Sequence, residues 1–202
     1  MFIFNSYVQN NLKKMTNPSS LIELNVTAPT FILKDIFGNM IDLQAYKGKK
    51  VFLGFFRHAG CPFCNLRVHA LSKAREKYRE RNLEMIFFFE SREDVMLKSI
   101  FHREVSPVPI ISDTQKIMYA TYGIENSASK STKSHLTSFI QTAIKAKLAN
   151  VPMHMKAGDE SISTMPAEFL LDENLIIRKI HYAQNLNDRL GFDVLDAFTE
   201  PK

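Results

Sequence analysis

The chain has 202 residues, 45% of them hydrophobic, enough to bury one full core with room for an insertion and with no need for a second domain. Its net charge of +5 is spread along the chain, and the absence of a basic run interleaved with aromatics argues against a nucleic-acid partner. No stretch approaches the length of a membrane span, and the short apolar start MFIF has no basic region before it, so neither a membrane partner nor a secretory leader is expected.

Residues 1 to 20 are polar and Asn-rich and read as an N-terminal arm, leaving 21–202 as a single domain. Phe31 and Leu33, then Ile41 and Leu43 after a Gly-Asn turn, predict a β-hairpin. Val51 to Phe56 is an uninterrupted apolar run, the mark of a strand buried on both faces. Arg57 to Gly60 form a loop. Asn65 to Arg81 lacks Gly and Pro and repeats Leu71, Ala74 and Tyr78 between charges, which predicts a helix with Pro62 in its first turn. Leu83 to Phe89 is a second buried strand and Arg92 to Arg103 a second helix, giving a βαβ alternation. Val105 to Ile111 carries too much proline for a sheet centre and reads as an edge strand or approach loop. Ser112 and Asp113 can cap a short helix that Gly123 closes.

From Asn126 to Thr164 the composition shifts to Lys, Ser and Thr, and the segment reads as an insertion. Within it Leu136, Phe139, Ile140, Ala143, Ile144 and Leu148 keep helical spacing. That stripe is expected to pack on its own domain, with a homodimer contact or an active-site lid as the alternatives. Ala167 to Asp172 and Leu175 to Tyr182 form a second hairpin, and Asp193 to Phe198 a closing helix.

Both cysteines lie in one C-x-x-C, Cys61 and Cys64, at the strand-to-helix junction. Cysteines three apart in a first helical turn lie close enough for a disulfide, and the positive helix end favours a thiolate. A bridge closing so short a loop adds little stability, which argues against a purely structural staple. His58, Cys61, Cys64 and His69 offer zinc-type ligands, yet no second C-x-x-C or H-x-x-x-H completes a knuckle. Reversible dithiol chemistry, with no metal and no other cofactor, is therefore expected, in a reduced, cytoplasmic setting. Arg57 and His58 stand beside the nucleophile, where a cation lowers a thiol pKa. His181 and Tyr182 read as structural, and Met153-His154-Met155, whose soft ligands would suit Cu(I), as plain linker.

Four segments in order resemble the peroxiredoxin-like redoxins, the AhpC/TSA group of the thioredoxin superfamily: APTFILKDIFGNMIDLQAYKGKKVFLGFF, the C-x-x-C helix, PVPIISDTQKIMYATYGI and MPAEFLLDENLIIRKIHY. The resemblance implies an α/β, thioredoxin-like fold, a central mixed sheet with flanking helices, here carrying a helical insertion. It also implies thiol-disulfide exchange or antioxidant reduction, on a disulfide-containing protein or a peroxide, with a thiol reductant such as a thioredoxin or glutathione. By likeness to thioredoxins, Met165-Pro166 should be a cis peptide facing the cysteines, and Met165, Pro166 and Arg57 should be the substrate-binding residues. Aligning the strands with peroxiredoxins puts Arg57 on their catalytic-loop proline, Cys61 on their threonine and Cys64 on their peroxidatic cysteine. Pro166 falls where their guanidinium would stand, unless Arg57 or Arg67 substitutes. Cys61 is accordingly expected to be the more exposed, attacking thiol. A peroxidase with Cys64 peroxidatic and Cys61 resolving is the alternative, and a non-catalytic metal-binding protein of the same fold the second.

Overall fold

The structure is a computed structural model that describes residues 21–200 apart from 125 and 154–159. The expectations for the N-terminal arm and for His154 and Met155 lie outside the described residues. A small antiparallel hairpin, β1 (Ile32–Lys34) and β2 (Met40–Asp42), is followed by a 3-10 turn over Leu43–Tyr46. The main sheet has five strands in the order β5-β4-β3-β6-β7: β3 (Lys50–Phe55), β4 (Leu83–Phe89), β5 (Ile110–Ser112), β6 (Ala167–Leu171) and β7 (Ile177–Tyr182). The β3–β4 and β4–β5 pairs are parallel, whereas β6 pairs antiparallel with both β3 and β7. The sheet is therefore mixed, as the resemblance implied.

Alternation along the two central strands divides the interior. Phe52, Phe56, Phe87 and Phe89 face one side, packed with Phe63, Val68, Leu71 and Tyr78 of α1 (Pro62–Glu80) and Leu195 of α6 (Phe192–Thr199). Val51, Leu53, Phe55, Ile86 and Phe88 face the other, beneath the hairpin and Tyr119 of α4 (Ile117–Thr121). Gly54 sits between the rings of Phe52 and Phe56, where a Cβ would come within 2.9 Å of both. A glycine is what lets β3 place two phenylalanines so close on one face.

The predicted helix over Arg92 to Arg103 is two short ones, α2 (Glu93–Lys98) and α3 (Ile100–Glu104). Ser99 between them is extended, and its side chain accepts from the His102 N–H at 3.5 Å, so it ends one helix and caps the next. Asp113 caps α4 as expected, accepting from the N–H groups of Ile117 and Met118 at 3.0 and 2.8 Å.

The insertion contains α5 (Ala128–Leu148), packed on α1. The side chains of Leu136 and Phe139 lie outside the described residues, and the last turns run against the expectation. Thr142 and Ala146 are buried, while Ile140, Ile144 and Leu148 point outward, 76%, 56% and 83% exposed. No helix among the described residues is long and apolar enough to cross a membrane.

Candidate active site

Strand β3 ends at Phe55, and the chain turns through Arg57 to Cys61 into α1. This places the loop at the carboxyl ends of β3 and β4, where open α/β sheets gather their chemistry. Cys61 is the N-cap of α1 and Pro62 its first helical residue, a position that needs no backbone donor. The Cys61 N–H donates to His58 O and its carbonyl accepts from Asn65 N–H, both at 3.0 Å, so the motif is held at each end.

The two sulfurs sit in unlike fields. Burial pushes the Cys61 thiol up, but hydrogen bonds from the Cys64 side chain and backbone and the charge of Arg57 outweigh it, bringing the pKa down to about 6. Burial, together with the hydrogen bond to and the charge of Cys61, holds Cys64 well above the ordinary thiol range. Arg57 Nη1 lies 3.6 Å from Cys61 Sγ, and the Arg57 backbone N–H donates to Cys64 Sγ at 3.4 Å. A guanidinium and a helix N-terminus thus meet at one sulfur.

Both cysteines are buried, 1% and 0% exposed, which corrects the expectation of a more accessible Cys61. The cover comes from residues that follow α5. Asn65, itself fully buried, donates through Nδ2 to Ala59 O at 2.7 Å and to Pro152 O at 2.8 Å. Arg57 Nη2 donates to Ile162 O, which also accepts from Ser131 Oγ of α5. Glu90 accepts from the Ser161 N–H at 3.2 Å, Thr164 Oγ1 at 2.9 Å and Lys116 Nζ at 2.8 Å. Ser91 Oγ accepts from Ala59 N–H at 2.7 Å and donates to Glu160, whose other oxygen lies 3.8 Å from His58 Nδ1. An open cleft of about 560 Å³ borders this cover, lined by His69, Phe101, Val151 and Pro152 among others.

Of the expected site residues, Arg57, His58, Cys61 and Cys64 come together, and Met165 is buried in the core on the same face of the sheet as both sulfurs. Pro166 follows it, one residue before the Phe55–Ala167 pair, and its carbonyl accepts from Ala183 N–H at 3.0 Å. The Met165-Pro166 bond is trans, however, and the cis X-Pro bond among the described residues is Ser106-Pro107. This corrects the thioredoxin-like expectation: trans is the ordinary X-Pro state, and the extended lead into β6 requires nothing else. The substrate groove argued from a cis proline does not carry over to this chain. His69 lines the neighbouring cleft, its ring 6.3 Å from that of Phe101. No group of three or more His, Cys, Asp or Glu residues forms a metal-binding cluster among the described residues.

Arg67 does not stand in for the missing guanidinium. It grips Glu168 through two bonds of 2.8 and 2.9 Å, donates to Leu190 O at 2.8 Å and lies over the Phe192 ring. The cation that sequence reasoning missed is Arg189, nearly buried, 3.8 Å from Glu168, whose charge favours ionisation of both cysteines. No local motif marks it. Asn65, Glu90, Ser91 and Glu160 were missed for the same reason. His181 pairs with Asp188 at 3.0 Å, and Tyr182 donates to Tyr122 O at 2.7 Å.

Comparison with known proteins agrees with this geometry. Residues 24–180 match the model of the AhpC/TSA family. The thiol-disulfide oxidoreductase ResA of Bacillus thuringiensis subsp. konkukian is 28% identical over 103 residues, covering 51% of this chain and 59% of that protein. ResA of Halalkalibacterium halodurans is 29% identical over 105 residues, covering 52% and 59%. The matched segments thus span somewhat over half the length of these relatives. Among solved structures, peroxidoxin BcpB of Mycobacterium tuberculosis superposes with a TM-score of 0.61 at 14% identity, covering 88% of this chain and 96% of that one. A yeast mitochondrial 1-Cys peroxiredoxin gives 0.57 at 16% identity, covering 88% and 75%. With its family model matched over most of its length on a mixed five-stranded sheet, the chain belongs to the AhpC/TSA family and has a thioredoxin-like fold.

Proposed function

We propose that the protein is a thiol-disulfide oxidoreductase in which Cys61 attacks and Cys64 resolves. The observation that carries this is geometric: Cys61 is the N-cap of α1 with Arg57 Nη1 3.6 Å from its sulfur, and that guanidinium favours its thiolate while burial holds the Cys64 thiol up. The Cys61 thiolate attacks one sulfur of a substrate disulfide, that S–S bond breaks, and the departing sulfur takes a proton. Cys64 then loses its proton and attacks Cys61, releasing the second substrate thiol. The protein is left as the Cys61–Cys64 disulfide after two electrons have passed to the substrate. A dithiol such as a thioredoxin, or two glutathione thiols, returns the pair to the reduced state. The ResA relatives support the reaction class. The expected compartment is the reducing cytoplasm, where such reductants keep the dithiol cycling.

Full burial of both sulfurs favours a second reading, peroxide reduction by the same thiolate, because a peroxide needs less displacement of the cover than a protein disulfide does. Attack then forms a sulfenic acid on Cys61 with loss of water or an alcohol, and Cys64 condenses with it to the same disulfide. The variant with Cys64 as attacker is disfavoured by the raised pKa of that thiol. The test is turnover of insulin disulfides and of hydrogen peroxide by the wild type, with trapping in the single mutants. Cys64→Ser should accumulate a mixed disulfide or a sulfenic acid on Cys61, and Cys61→Ser should do neither. Reaction at Cys64 in the Cys61→Ser protein would overturn the assignment.

A further inference from the structure

Among the described side chains, the last turns of helix α5 turn their aliphatic residues outward. A surface helix ordinarily turns its aliphatic residues inward and its small polar ones to water. Here Ser131, Thr142 and Ala146 are buried against the body, 2%, 4% and 0% exposed, while Ile140, Ile144 and Leu148 are largely bare. The three aliphatics are spaced i, i+4, i+8, so they line a sector of about 80° along roughly 12 Å of helix. Lys145 and Lys147 are exposed on the same last turns, and the helix also carries Lys130 and Lys133 but no Asp or Glu. The sequence has no acidic residue from 126 to 158.

We propose that the exposed face of α5 binds an anionic lipid surface, lying in the interface with Ile140, Ile144 and Leu148 immersed and Lys145 and Lys147 at the headgroups. Three features select this occupant. The exposed stripe, Ile140, Ile144 and Leu148, is purely aliphatic and carries none of the Trp, Tyr or Arg anchors that dominate protein–protein hot spots. Its cations are lysines, which extend their stems over apolar surface while keeping the ammonium at the phosphates. A second copy docked by the same face would bring lysines against lysines with no acid on the helix to answer them. The expectation of no membrane partner rested on the lack of a spanning stretch; peripheral binding requires none. The dithiol reaction does not depend on this contact, so the two proposals fail separately.

Sedimentation of the full chain with vesicles tests it, using phosphatidylcholine alone and phosphatidylcholine mixed with phosphatidylglycerol. Binding is expected to the mixed vesicles and not to the neutral ones, and to weaken with salt. Lys145→Gln with Lys147→Gln should weaken it by roughly 30-fold, from about 1 kcal/mol per lysine near an anionic surface. Ile140→Ser with Ile144→Ser and Leu148→Ser should abolish it. All five side chains lie outside the core, and Cys61 alkylation at wild-type rate certifies that each variant is folded. Absence of sedimentation with the mixed vesicles, or equal binding by the wild type and the triple variant, would overturn the proposal. So would a dimer in light scattering that the triple variant converts to monomer, because a second copy would then occupy the face.

Discussion

Replacing Arg57 by Met removes the charge nearest the attacking sulfur and changes nothing else on the helix that carries it. The guanidinium lies 3.6 Å from Cys61 Sγ and is fully buried. Two unit charges at about 4 Å interact by about 4 kcal/mol at an effective dielectric near 20, a ceiling of roughly three pKa units. The Cys64 hydrogen bonds and Arg189 remain in the variant, and relaxation recovers part of the loss. A rise of about two units is therefore expected, from about 6 to about 8. The thiolate fraction at pH 7 then falls from about 90% to about 10%, and iodoacetamide alkylation of Cys61 slows by about ninefold. The same substitution cuts the bond from Arg57 to Ile162 O and loosens the cover, which acts in the opposite direction on the observed rate. The pH profile separates the two, since the midpoint reports the pKa and the plateau above it reports access. Arg57→Lys, which keeps a cation but loses the fork, should fall between, and circular dichroism checks both folds. A midpoint for Arg57→Met within about half a unit of wild type would refute the claim that this guanidinium stabilises the thiolate.

Arg189→Gln should raise the Cys61 midpoint by less than Arg57→Met does, with the high-pH plateau unchanged, because Arg189 acts by charge and makes none of the hydrogen bonds to the cover described above. Asn65→Ala removes the bond to Pro152 O, worth about 1 kcal/mol, and should speed labelling by a bulky maleimide about fivefold without moving the midpoint. Arg67→Met should cost about 3–5 kcal/mol in urea unfolding, because it leaves the fully buried Glu168 without its two-bond partner. Because the folded pKa of Cys61 is depressed, its contribution to stability is full above the unfolded thiol pKa and is lost as pH falls through about 6. The reduced wild type should therefore gain stability relative to Cys61→Ser as pH rises between those limits, and a flat difference would count against the lowered pKa.

The chemistry-bearing stretch was legible because it is local. An apolar run, a short loop and a C-x-x-C opening a helix define a strand, a turn and an N-cap whatever surrounds them, and β3, α1 and β4 lie within a residue or two of their expected bounds except where α1 begins earlier, at Pro62. Asp113 as a cap and Pro62 at the first helical position were readable for the same reason. Ser99 was not, because a serine breaks a helix only when its neighbours make both halves pack separately. Periodicity in α5 showed an amphipathic helix but carried no sign for which face meets the body; Ser131, Thr142 and Ala146 won that place by fitting against the fold, which hydrophobicity alone does not encode. The environment of the dithiol is divided: Arg57 and the hydrogen bonds between the two cysteines are local to the motif, whereas burial and the charge of Arg189 belong to tertiary structure. Arg189, Asn65, Glu90 and Glu160 come from four separate parts of the chain, and the Arg189 charge and the cover that buries the sulfurs exist only once those parts are brought together. A cysteine pair three residues apart can be read from the chain by itself; which of the two sulfurs is ionised depends on what folding places around it.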